Sequence, residues 1–150
     1  MVNYFDTEKQ IELKKILDEW HGTPFKHKTA VKGLGCDCIH FAIKVFEEIG
    51  LMKLVPGMVP DYPKDWYFHN TREALSEAIE KHLNVEKYDM DVELMNGDII
   101  LSHFGKASSH AGIFFDNYVH QAIANIGVRK IHINDKKLKL QMKFVYRVIK

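Results

Sequence analysis

Apolar residues recur at helical spacing in the first half of the chain and in short strand-like runs in the second. From Thr7 the positions Ile11, Ile16, Leu17 and Trp20 form an apolar stripe, Thr7 and Gln10 have capping-box spacing, and Gly22 ends the segment. The stretch from Gly22 to Gly35, with Pro24, Gly33, three lysines and His27, reads as an irregular loop. The clearest element follows. Asp37 is a favoured N-cap, and Cys38, Phe41, Ala42, Val45, Phe46 and Ile49 keep the i, i+3, i+4, i+7 spacing up to Gly50. Four breakers and four aromatics between Pro56 and His69 predict an ordered connector, and a third helix is expected from Asn70 to Leu83. After an Asn96-Gly97 turn the pattern becomes strands: 98–101, 111–115, 118–122, 128–133 and 144–149. Helices followed by strands predict an α+β domain with an antiparallel sheet, and no repeat or linker divides residues 1–150.

Composition narrows the function classes. A chain of 150 residues with 46% hydrophobic and 27% charged residues is an ordinary globular domain, large enough to need no disulfide or metal staple. The net charge of +1 provides no polyanion-binding field, so no nucleic-acid partner is expected. No run of about 18 apolar residues could cross a bilayer, and the N-terminus lacks the apolar core of a secretory signal. The expectation is a soluble cytoplasmic product, delivered outside only by lysis, a phage particle or another chain. Cys36 and Cys38, one residue apart, are expected as reduced thiols. The basic tail, Lys136 to Lys150, reads as a lysine-guarded edge strand.

Cys38 stands in the first turn of the clearest helix, where unpaired N–H groups and the helix dipole favour a thiolate. The competing reading is a buried residue opening the apolar stripe. Cys36 lies outside that turn. Cys36, Cys38 and His40 form a Cys-x-Cys-x-His run, which is not zinc-ligand spacing, so neither a metal nor a cofactor is expected.

His110 opens one strand and His120 lies on the next. If Phe115-Asp116-Asn117 form a three-residue loop, Gly112 faces His120 and both imidazoles share one side of the sheet, with Gly112 leaving the space between them open. A two-residue turn at Asp116-Asn117 instead places His120 opposite Ile113 and turns His110 to the other side. Both registers are sterically allowed. A thiolate, a base and a group holding that base together make the arrangement for acyl transfer by cysteine.

The segments GTPF (Gly22–Phe25), GCDCIHFA (Gly35–Ala42), NGDII (Asn96–Ile100), SHAGIF (Ser109–Phe114), VHQA (Val119–Ala122) and YPKDW (Tyr62–Trp66) are distributed along the chain between Trp20 and Arg147. Jointly they resemble the NlpC-type papain-like cysteine peptidases, especially a phage-associated subgroup. The resemblance implies a cysteine-bearing helix packed on a small antiparallel sheet. It implies Cys38 as nucleophile, His110 as general base and His120 as its orienter, with Asp37, Phe25 and Trp66 on the substrate side. The implied reaction is hydrolysis of an amide bond in a cell-wall peptide, typically between γ-D-glutamate and a diamino acid. Phe25 stands where many relatives have tyrosine, and Ile39-His40 where many have Ser-Gly. The lost hydroxyl at Phe25 favours the alternative, a non-catalytic phage or prophage module that binds wall peptide.

Overall fold

The structure, a computed structural model, describes residues 2–55, 74–103 and 108–150, without the side chains of Ala74, Ser108 and Ser109. The predicted aromatic connector, Trp66 included, lies outside the described residues, as do residues 70–73 of the expected third helix.

Helix α1 spans Thr7–Trp20, and its cap is Asp6 rather than Thr7. The Asp6 carboxylate accepts from Lys9 N at 3.0 Å, the bond an N-cap side chain makes to the third helical residue. Leu13, Ile16, Leu17 and Trp20 are buried, while Ile11 is 68% exposed. The four buried residues fit the i, i+3, i+4, i+7 series, and Ile11, two residues before Leu13, falls about 200° away on the helix. The following loop holds a small hairpin, β1 (Ala30–Val31) with β2 (Gly35–Cys36).

Helix α2 runs Cys38–Ile49, as its pattern predicts. Asp37 caps its start, and Gly50 ends it in the left-handed region at φ 93°, a conformation glycine adopts without strain. Cys38, Phe41, Val45, Phe46 and Ile49 are buried. Trp20 of α1 meets Phe41 edge-on, with ring centroids 6.0 Å apart, and its Nε1 donates to Glu48 at 3.1 Å. Helix α3 is described over Ala74–His82.

Six strands form one sheet in the order β3-β8-β4-β5-β6-β7, each antiparallel to its neighbours. They are β3 (Val85–Asp89), β4 (Ile99–His103), β5 (Ser108–Phe115), β6 (Tyr118–Ile123), β7 (Gly127–His132) and β8 (Met142–Val148). Strand β3 is absent from the sequence reading because Glu86, Lys87 and Asp89 interrupt its apolar signal, as an edge position permits. Its presence overturns the expectation for the basic tail. β8 is interior, between β3 and β4, and Lys136–Gln141 is a short helix, α4, capped by Asp135.

The sheet buries both faces. Ile99, Leu101, Ala111, Ile113, Phe115, Tyr146 and Val148 share a core with α1 and α2. Ile100, Phe114, Val119 and Val145 form a second core closed by Leu138 of α4. Helix α2 packs on β5 and β6, which directs its N-terminus to the hairpin that carries both candidate histidines. This is a mixed α+β fold with a small antiparallel sheet, the class the sequence predicts.

Candidate active site

Asp37 holds the nucleophile's end of α2 in place. Its Oδ1 accepts from the backbone N–H and from Nδ1 of His40, both at 2.8 Å, and its Oδ2 accepts from Lys28 N at 2.8 Å. The carboxylate therefore caps the helix and ties the preceding loop to it, and only 3% of the residue is exposed. His40 is thereby bonded to the cap, as its place off the apolar stripe suggests.

Cys38 is 8% exposed. Three backbone N–H groups, those of Ala111, Ile39 and Cys38 itself, act on its sulfur and favour the thiolate. Burial outweighs them and, with the negative charge of Asp37, pushes the thiol up to about 12. The resting group is a thiol. Cys36 is fully buried, and burial pushes it to about 12 as well.

The hairpin takes the two-residue turn. Ile113 pairs with His120, Phe114 with Val119 and Phe115 with Tyr118. Asp116 and Asn117 have φ of 46° and 70°, the pair of positive values a type I′ turn needs, and Asn and Asp tolerate that region better than other side-chain-bearing residues. The three-residue-loop register, with Gly112 facing His120, is therefore not formed, and the two imidazoles do not share a face. His120 lies on the side of Ile113, towards α1, where Asp18, His21 and Lys14 act on it together with Lys130 of β7. Its Nδ1 is buried and has no hydrogen-bond partner among the described residues. Gly112 opens no space between the histidines. A Cβ built there would come within 2.5 Å of Val119 Cγ1.

His110 pairs with Ser102 of β4, and its Nε2 lies 2.7 Å from Oε1 of Gln121, a contact buried on both sides. An amide oxygen can only accept, so Nε2 donates. Burial lowers His110 to about 4 although the Gln121 bond works the other way. Gln121 is the residue the sequence reading missed. The signal for it was the Asp-Asn dipeptide, because a two-residue turn places position 121, not 120, on the face of His110.

The sulfur meets β5 where its ladder with β6 ends. Phe114 N donates to Asp98 O on the β4 side, so the amides of Phe115, Ile113 and Ala111 point towards β6. Pairing between β5 and β6 stops at Ile113 and His120. Beyond that point the Ala111 amide donates to the Cys38 sulfur. That amide nitrogen is bonded to the carbonyl carbon of His110, so the thiol rests against the peptide that carries the imidazole. At the same split, the His110–Gln121 bond spans β5 and β6 by side chains.

Phe25 is half-buried against the helical core, and its neighbours bond to both sides of Cys36: Cys36 N to Pro24 O at 3.0 Å and Lys26 N to Cys36 O at 2.9 Å. Gly127, at φ 106°, allows Thr23 O to within 2.5 Å of where a Cβ would stand, fixing the same segment to β7. Among the described residues, no group of three or more His, Cys, Asp or Glu could hold a metal ion, and no helix is long and apolar enough to cross a membrane.

No family model matches the chain, and no curated protein matches it in sequence. Solved structures do. A Staphylococcus aureus protein described as similar to lipoprotein, NLP/P60 family, aligns with a TM-score of 0.66 at 17% identity, over 97% of this chain and 43% of that one. A Bacillus cereus NlpC/P60 family protein aligns with a TM-score of 0.64 at 19% identity, over 94% of this chain and 40% of its own. The chain thus has the fold of NlpC/P60 proteins and spans about two fifths of the length of these two.

Proposed function

We propose that this protein is an NlpC-type cysteine hydrolase that cleaves an amide bond in a cell-wall stem peptide, the γ-D-glutamyl to diamino-acid link being the first candidate. The observation that carries the reading is the position of the Cys38 sulfur: at the start of α2, under three backbone N–H groups, against the peptide between His110 and Ala111. The likeness in fold to NlpC/P60 proteins supports it, as do the matching segments around Cys38 and His110.

The steps follow from the resting charges. Burial opposes a thiolate at Cys38 and an imidazolium at His110 when each forms alone, so the two charges arise together by transfer of the thiol proton to the ring. The sulfur attacks the peptide carbonyl, and the backbone N–H of Cys38 receives the developing oxyanion. The imidazolium gives its proton to the leaving amine. Water, deprotonated by His110, then attacks the thioester, releasing the acid and restoring the thiol. Asp37, already bonded to His40 and Lys28, meets a substrate amino group only at the edge of this network.

The test is mass spectrometry of defined stem peptides incubated with the wild-type protein and with Cys38→Ala. A cleavage product from the wild type alone supports the reading and identifies the bond. A second reading, a wall-peptide-binding module without activity, is favoured by the burial that holds Cys38 protonated. It expects peptide binding, no product and no alkylation of Cys38 at neutral pH.

A further inference from the structure

We infer that Gln121, not His120, is the positioning residue for the base: its amide oxygen fixes His110 as the Nε2–H tautomer and leaves Nδ1 as the basic nitrogen. The inference rests on the proposed cysteine hydrolase reading and concerns the same site.

Three observations carry it. The contact is short, 2.7 Å, and both residues are buried, His110 at 5% and Gln121 at 7% exposure, so water does not compete for the bond. The fold also leaves a path for it. Position 112 lies between the two residues on that face, and an added Cβ at Gly112 would stand 3.5 Å from Gln121 Cβ and 2.5 Å from Val119 Cγ1. A side chain at position 112 would disturb the approach of Gln121 to His110. Finally, the bond lies where the β5–β6 backbone ladder has ended, so it supplies the lateral constraint on His110 that the ladder no longer supplies. His120 offers none of this. It lies on the other face, with its Nδ1 unbonded among the described residues.

A neutral imidazole exchanges between two tautomers, and only the one with a lone pair towards the thiol can take its proton. A bond to an obligate acceptor at Nε2 selects one form and fixes the ring angle. Removing it costs catalysis rather than substrate binding.

The first measurement is nitrogen-15 NMR of the His110 ring in the full chain near pH 7, which requires no activity. The Nε2–H tautomer in the wild type and a mixture in Gln121→Ala are expected. A wild-type ring protonated at Nδ1 overturns the inference. The second is kinetics on a cleaved stem peptide. Gln121→Ala is expected to lower kcat by about 10- to 100-fold with KM little changed, a part of the 10²–10⁴ that general acid–base catalysis supplies. Gln121→Glu, which keeps an acceptor at the same reach, is expected to restore the tautomer and much of kcat. A loss in His120→Gln equal to or greater than that in Gln121→Ala overturns the inference. If Cys38→Ala leaves cleavage intact, the hydrolase reading fails, while the tautomer measurement still decides the role of Gln121.

Discussion

Oδ1 of Asp37 receives two hydrogen bonds from His40, one from its backbone N–H and one from Nδ1, each 2.8 Å long, one residue before the buried thiol of Cys38. The negative charge of Asp37 is, after burial, the second cause of the raised Cys38 thiol. Asp37→Asn keeps an oxygen for the helix cap and removes the charge, so the thiol is expected to ionise at lower pH than in the wild type. The pH dependence of Cys38 alkylation measures this, and an unchanged or higher midpoint contradicts it. Asparagine leaves no second oxygen for Lys28 N, so a stability loss of about 1 kcal/mol accompanies the change.

Asp98, which is buried, and Arg147, which is half-buried, form the ion pair that joins the start of β4 to β8. Arg147 Nε and Nη2 donate to Asp98 at 3.0 and 2.8 Å, and Met95 N adds a third bond at 2.9 Å. Asp98→Ala removes both bonds to Arg147 and the acceptor of the Met95 N–H, and is expected to cost about 1–3 kcal/mol in denaturant unfolding. Replacing both partners with apolar residues is expected to cost less than the single change, because no charge is then left without its partner.

Gly112 has ordinary backbone angles, so its small size matters only through Val119, a stiff β-branched residue that is 1% exposed. Gly112→Ala is expected to destabilise by about 1–3 kcal/mol through overpacking. In the double variant with Val119→Ala, the two losses are expected to sum to less than their separate values. Simple additivity in unfolding free energy would show that the two sites do not touch.

His110 and His120 are both lowered by burial, from 6.5 to about 4. Between those values the unfolded chain binds protons that the folded chain refuses, so stability rises with pH across the window and is lost as pH falls from 6.5 towards 4. At 1.36 kcal/mol per unit, each histidine contributes roughly 3 kcal/mol to that slope. Urea midpoints measured across the window are expected to fall with acid, and by about half as much in His120→Leu. A flat profile in the wild type contradicts both depressions.

The local elements were legible in the sequence because local spacing determines them. Helix α2 follows from Asp37, the Cys38-to-Ile49 stripe and Gly50, all within 14 consecutive residues. Five of the six strands of the large sheet, β4 to β8, follow from short apolar runs. β3 was not legible, since its charged residues are acceptable only at a sheet edge, and the edge exists only once β8 has paired on its inner side. For the same reason the tail read as an edge strand although it lies inside the sheet.

By itself the sequence determined that a cysteine begins a capped helix and that two histidines stand on consecutive strands. Tertiary structure decided which of them faces what. The Asp116-Asn117 turn has two residues rather than three, and in a strand with a side-chain period of two, that single step exchanges His120 for Gln121 beside His110. Packing decided the charge states as well. The helix start favours a thiolate, but burial beneath the sheet and the neighbouring Asp37 outweigh it, a balance that only the assembled core establishes.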